Sequence, residues 1–239
     1  MKTFHHADFR IERAPASACL PAKSCARTVG AAIAAIAPVV EEVVVVAADE
    51  PTACAAEAAG ARVLRESEMD GPVRGKGDAM RRAVPQLRSE LVVFLDADVA
   101  VLPPHFATGL LGPLLTGDAD FVKAFYRRPL GDDPDGGGRV NHLMARPALR
   151  VFFPELAGVR QPLAGEVAAR RDLLERLPFA DGYAVEIAML IDAWRAVGLD
   201  RLAQVDLGVM EHEHQPLHAL TDMAETVLRA IVERARVPA

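Results

Sequence analysis

At 239 residues, of which 51% are hydrophobic, the chain is long enough for one large α/β domain with a real core and too apolar for disorder. A net charge of -6 argues against a protein that works by neutralising phosphates, so no nucleic-acid partner is expected. No apolar run approaches the ~20 residues that cross a bilayer, and the opening "MKTFHHADFR" has no apolar h-region, so neither a membrane span nor a secretion signal is expected.

After this short polar start, "ASACLPA" predicts a first strand, and "ARTVGAAIAAIAP" a helix that Pro38 helps to end. "EEVVVVAAD" is a second strand, apolar enough to be buried on both faces. "PTACAAEAAGARVL" gives an alanine-rich helix with Gly60 as its C-terminal cap, then a short strand over 62–64. The alternation of strand and helix is the signature of a parallel sheet. A polar Gly/Pro loop, "RESEMDGPVRGKG", becomes a helix from about Asp78 and leads to the strand "LVVFLDAD". "ADFVKAFYRRP" predicts another strand, followed by "LGDDPDGGGRV", a loop too glycine-rich and acidic to fold alone and expected to be mobile. From Asn141 onward the pattern is helical, broken by "QPLAGEVAARRDLLERLPF", with a last strand at "AQVDLGVMEHEH" and an amphipathic helix closing the chain from about Leu217 to Ala235. The cysteines Cys19, Cys25 and Cys54 follow no metal-ligand spacing and are odd in number, which points to a reduced, cytoplasmic setting.

Asp96 and Asp98 end a strand that should reject them. Strand propensity disfavours aspartate, and a buried carboxylate needs a partner or a cation. Ligands of open α/β sheets bind beyond the carboxyl ends of the strands, and alternation would send both side chains to one side, where a divalent cation can bridge them to a diphosphate. The same pair could equally cap the helix that follows. Lys76, between two glycines at a helix start, can meet phosphate oxygens, although such a triplet is common in surface loops. His212, at the end of the last strand, could be a third ligand of a Mg- or Mn-type site, although a lone histidine more often has no such role.

With these residues in view, the blocks "GKGDAM", "VVFLDAD", "GPLLTGDADFVKAFYRRPL", "GGGRV", "QPLAGEVAARRDLLERLPFADGYAVEIAML" and "LAQVDLGVMEHEHQPL" together resemble the glucosyl-3-phosphoglycerate synthase family, retaining nucleotide-sugar glycosyltransferases of GT-A fold. The resemblance runs from roughly Lys76 to Leu217. It implies a Rossmann-like, mostly parallel sheet flanked by helices, with 1–130 handling the nucleotide sugar and 131–239 the acceptor in one compact unit. It also implies that Asp98, Asp96 and His212 hold Mg2+ or Mn2+ on the donor diphosphate, with Lys76 nearby, and that Pro21, Ala22, Ala97, Leu163, Ala164 and Tyr183 complete the donor site. Glu186 and Asp98 would then be catalytic, while Gly138, Arg139, Val140, Asn141 and His214 would take a small anionic or hydroxylated acceptor. Family precedent adds a homodimer. Glu166 reads equally well as a residue of a first helical turn, and "FYRRP" as a strand edge with solvated arginines.

The chain departs from the family pattern at both recognition ends. An "LPALNEE"-like first loop, whose glutamate helps to recognise uracil, is "LPAKSCA" here, and a "DSGSTDDT"-like stretch is "AADEPTAC". "GRVTEL" becomes "GRVNHL", and "EHRN" becomes "EHEH". Altered donor or acceptor specificity is the first expectation. A sugar-phosphate nucleotidyltransferase and a catalytically inactive nucleotide-binding relative remain as alternatives.

Overall fold

The computed structural model describes residues 1–99, 101–211 and 215–236. Its strands are β1 (Lys2–His5), β2 (Ala14–Ala22), β3 (Val40–Ala47), β4 (Arg62–Arg65), β5 (Leu91–Phe94), β6 (Phe121–Arg127), β7 (Val167–Arg170) and β8 (Leu202–Val209). They form one eight-stranded sheet in the order β1-β8-β6-β7-β5-β2-β3-β4. Every pairing is parallel except those of β7, which runs antiparallel to both β5 and β6. The helices are α1 (Val29–Ile36), α2 (Glu50–Ala58), α3 (Lys76–Ala83), α4 (His105–Leu115), α5 (Arg146–Phe152), α6 (Arg171–Arg176), α7 (Val185–Val197) and α8 (Leu220–Ala235).

Strand alternation sorts the core into two layers. In β3, Val43, Val45 and Ala47 pack with α1, α2 and α4, while Val44 and Val46 face the layer that holds α3 and α5 to α8. In β5, Leu91 and Val93 face the first layer, and Val92 and Phe94 the second. Burying one such side chain contributes about 1.5–3 kcal/mol, which is why the unbroken "VVVV" run is the steadiest part of the sheet. Asp49 starts α2 by accepting from the Thr52 N–H (3.0 Å), and Gly60, at φ +86°, stands just past its end as expected.

Several elements differ from expectation. The polar start contains β1, held at the sheet edge by parallel pairing with β8. The strand predicted as "LVVFLDAD" stops at Phe94, so Asp96 and Asp98 lie in the loop beyond it. The α3 helix begins at Lys76 rather than Asp78. The break in the helical stretch contains β7, paired with a strand on each side and buried over Val167, Ala168 and Ala169, with Arg170 half-buried. The closing helix starts at Leu220, after a 3-10 turn over Leu217–Ala219. The glycine-rich loop expected to be mobile is closed at its neck by the Gly137 N–H donating to the Arg128 carbonyl (2.8 Å).

Because β7 is reversed, its first residues stand beside the carboxyl ends of its neighbours. Pro21 and Ala22 end β2, Ala48 follows β3, Asp96 follows β5, Tyr126 stands near the end of β6 with Arg128 just past it, and Met210 follows β8. All of these border one cavity of about 810 Å³, with Gly165 from the head of β7 and Met223 and Val227 of α8 as further walls.

Candidate active site

At the centre of the cavity, Lys76 Nζ stands 2.5 Å from Asp96 Oδ1 and 2.9 Å from Glu186 Oε1. These three side chains come from α3, the β5 exit and the first turn of α7, and local packing explains their meeting. A Cβ at Gly75 would lie 3.1 Å from the Gly182 Cα, and one at Gly77 would stand 2.9 Å from the Val185 Cβ and overlap the Ala180 carbonyl. The glycines of "GKG" therefore let α3 press against 180–185, which carries Glu186 to Lys76. Gly75 also sits at φ +82°, a conformation that side chains disfavour. One residue further on, Asp78 is fully buried and accepts from Arg81 (2.6 Å), Arg82 (3.0 Å) and the Arg74 N–H (3.1 Å). Burial alone would raise its pKa, but these donors outweigh it and hold the carboxyl well below the usual range.

The charges at the centre sustain one another. Burial would lower the Lys76 pKa, yet Asp96 and then Glu186 override it and keep the ammonium charged. Glu186 is 13% exposed and its carboxylate is committed to Lys76. Gly165 presses against Asp96, since an added Cβ would lie 2.7 Å from the Asp96 Cγ.

Beneath this floor lies a buried polar layer. Glu166 is fully buried and precedes β7, not a helix; its Oε2 accepts from the Tyr126 hydroxyl at 2.6 Å, and its Oε1 has no hydrogen-bond partner among the described residues. Burial first, then the nearby Asp96, pushes its pKa up to about 7. Lys123 is 3% exposed, donates to the Ala164 carbonyl (2.6 Å), and is pushed down by burial to about 8.

Most of the residues singled out from sequence meet in this cavity. Pro21, Ala22, Lys76, Asp96, Ala97, Asp98, Leu163, Tyr183 and Glu186 line it, and so do Gly138, Arg139, Val140 and Asn141. Ala164 is buried behind the lining, where its carbonyl receives Lys123. Asn141 spends its amide on the fold, with Oδ1 accepting from the Leu163 N–H at 3.3 Å. His212 and His214 lie outside the described residues. Among the described residues, no three His, Cys, Asp or Glu side chains converge on a metal position. Asp96 and Asp98 still supply hard carboxylate oxygens at one cavity wall, a donor set that suits Mg2+ or Mn2+ once diphosphate oxygens join it.

Sequence reasoning passed over Tyr126, Arg128, Lys23 and Glu66, all of which line the cavity. Within "FYRRP" only Arg127 faces solvent freely; Tyr126 is buried and Arg128 half-buried. The divergent first loop is tied to α2, with Ser24 at φ +58° donating its N–H to Asp49 Oδ2 (2.6 Å) and the Cys25 N–H donating to Thr52 Oγ1 (3.0 Å).

A mostly parallel sheet with one reversed strand, and an acidic pair at a strand exit beside a paired lysine, define a nucleotide-sugar transferase of GT-A type. No family model matches the chain. A curated glucosyl-3-phosphoglycerate synthase of Mycolicibacterium paratuberculosis is 44% identical over 239 residues, covering 93% of this chain and 73% of the relative. Among solved structures, mannosyl-3-phosphoglycerate synthase from Rubrobacter xylanophilus superposes with a TM-score of 0.91 at 41% identity, covering 98% of this chain and 81% of the other. Glucosyl-3-phosphoglycerate synthase from Mycobacterium tuberculosis, in complex with Mn2+, UDP and glucosyl-3-phosphoglycerate, gives a TM-score of 0.85 at 41% identity over 94% of this chain and 81% of the other. The chain belongs to the glucosyl-3-phosphoglycerate synthase family and is a hexosyltransferase.

Proposed function

We propose that the protein moves a hexose from a nucleoside diphosphate sugar to a small anionic acceptor, 3-phosphoglycerate in the first instance, with retention at the anomeric carbon and dependence on Mg2+ or Mn2+. The observation that carries this reading is the Asp96–Lys76–Glu186 bridge at the centre of a cavity that also contains Asp98 and Arg139. Relatives of the same family are complexed with Mn2+, UDP-glucose and phosphoglyceric acid, or with Mg2+ and UDP.

Asp98 and Asp96 would hold the cation, joined by His212 of the acidic-basic run. When bound, it supplies Lewis-acid stabilisation of the departing diphosphate. Lys76 fixes Asp96 and adds positive charge to the diphosphate end. Glu186, engaged by Lys76, orients groups and stabilises positive charge on the sugar instead of acting as a nucleophile. The acceptor hydroxyl then attacks from the face the diphosphate leaves, passing its proton to a departing phosphate oxygen. Residues 1–130 supply the nucleotide-sugar part and 131–239 the acceptor part of this division of labour.

We also infer a cytoplasmic homodimer. The free thiols of Cys19, Cys25 and Cys54 support the reducing compartment. Leu143 and Val151, 76% and 73% exposed, and the neighbouring Phe152 support a self-contact around α5. Light scattering of the purified protein tests the dimer. No helix among the described residues is long and apolar enough to cross a membrane.

Product formation with UDP- and GDP-linked glucose and mannose, 3-phosphoglycerate and either cation tests the main reading. Asp98→Ala is expected to abolish transfer while leaving the melting temperature near that of the wild type. A folded wild type that makes no product from any of these donors refutes it.

A further inference from the structure

Lys123 lies in the middle of β6, paired with Val167 of β7 on one side and Gln204 of β8 on the other. Its neighbours Val122 and Ala124 pack in the layer of α4, so strand alternation sends the lysine side chain to the opposite face, toward α3 and α7. It is 3% exposed, and its one hydrogen bond among the described residues goes from Nζ to the Ala164 carbonyl, at 2.6 Å. A buried ammonium with one acceptor is costly, and an apolar side chain would fill the same place without that cost. None of the transfer steps uses it directly.

The carbonyl it holds belongs to a turn without regular structure, 161–165, that leads into β7. Gln161, Leu163 and Gly165 of this turn line the cavity. Two further ties are neutral: Gln161 Oε1 accepts from the Tyr126 N–H (2.9 Å), and the Leu163 N–H donates to Asn141 Oδ1 (3.3 Å). Neither reaches the far end, where Gly165 presses on the Asp96 carboxylate. Lys123 acts one residue before that contact, from a strand paired on both sides. The charged groups that act on its ammonium are Glu186 of α7, Lys76 of α3, Glu166 ahead of β7 and Asp96 beyond β5.

We propose that Lys123 is a positioning residue of the transfer reaction: its ammonium clamps the 161–165 turn to β6 through the Ala164 carbonyl, and so keeps Gly165, and with it Asp96, in the working geometry. This rests on the transferase reading above. Burial pushes the Lys123 pKa down to about 8, against the pull of Glu186, so the clamp holds below that pH and slackens as pH rises through it. A neutral amine makes a weaker hydrogen bond than an ammonium.

Rates of hexose transfer to 3-phosphoglycerate at saturating Mg2+, from the donor that wild type uses best, test this between pH 7 and pH 9, together with thermal melts and calorimetric binding of the matching nucleoside diphosphate. Wild-type kcat/KM for the nucleotide sugar is expected to fall several-fold across that range. Lys123→Met keeps the apolar stem and removes the ammonium. It is expected to lower kcat at pH 7 by about 10- to 100-fold, the effect of a shift approaching 1 Å at a positioning group, to leave nucleoside diphosphate affinity within about twofold, and to erase the alkaline fall. Lys123→Arg carries a charge that does not titrate in this range and is expected to retain more of the rate than the methionine variant, with no alkaline fall; it carries the pH test if the methionine variant does not fold. A methionine variant with wild-type kcat, or with the alkaline fall intact, overturns the assignment. So does a parallel loss of rate, nucleoside diphosphate affinity and melting temperature, which marks a general role in folding. A wild type that transfers at an even rate from pH 7 to pH 9 overturns it without any variant. In each of these cases the transferase reading stands; if wild type transfers no hexose from any donor, that reading falls first and takes this inference with it.

Discussion

Gly165→Ala tests the central geometry with one methyl group. The added Cβ would stand 2.7 Å from the Asp96 Cγ and 2.8 Å from Oδ1, and closer still to Oδ2. Ordinary contacts of this kind need about 3.5 Å or more, so the Asp96 carboxylate must retreat by on the order of 1 Å. It cannot do so freely, because Oδ1 is held by Lys76 at 2.5 Å and Lys76 is held in turn by Glu186. Overpacking of this size costs about 1–3 kcal/mol. A displacement near 1 Å at a group that positions reacting atoms lowers the rate by roughly 100-fold. The assay is product formation from the nucleotide sugar at saturating Mn2+, alongside a denaturant melt. Gly158→Ala is the control, since its Cβ would meet only Met1 Cε at 3.7 Å. If Gly165→Ala keeps wild-type turnover and donor affinity, Asp96 is not placed as described and the account of the centre fails.

Lys76→Met leaves Asp96 and Glu186 facing each other without the ammonium between them. With Lys76 24% exposed, the expected stability loss is about 1–2 kcal/mol, below the value for a fully buried pair. Denaturant midpoints of the variant and the wild type check this, and an unchanged midpoint would contradict it. Glu166 gives a pH signature of its own. Its folded-state pKa, near 7, lies above the ordinary 4.5, so its contribution to stability is complete below about pH 4.5 and is lost as pH rises through 7. The groups acting on it are Asp96, Lys76 and Tyr126. Glu166→Gln removes this titration, so the variant should gain about 2 kcal/mol on wild type from pH 5 to pH 7.5. Stopping at pH 7.5 keeps the opposing titration of Lys123, near 8, largely out of the window. A pH-independent difference would show that burial does not hold Glu166 neutral.

What could be read beforehand, and what could not, follows from where each signal resides. "EEVVVV" announces a strand buried on both faces because Val44 and Val46 pack on one layer and Val43 and Val45 on the other, so nothing local contradicts the fold. Asp96 and Asp98 stood out for the opposite reason, as residues that the preceding run should exclude. The β7 strand stayed hidden because "VAAR" is too short to show a period, and its pairing with β5 and β6 is entirely long-range. The same strand explains why Glu166 was underrated, since a glutamate before "VAARR" suits a helix start unless the sheet buries it. "GKG" suggested a phosphate loop, whereas its glycines permit the contact with 180–185 that delivers Glu186. Adjacent arginines at 127 and 128 look alike in one dimension, and only the end of β6 turns one outward and the other into the cavity. The chemistry thus gathers where one reversed strand brings its amino end level with the carboxyl ends of the rest. That juxtaposition sets Gly165 against Asp96, with Glu166 and Tyr126 below, and it lies in the sheet order, not in any single motif.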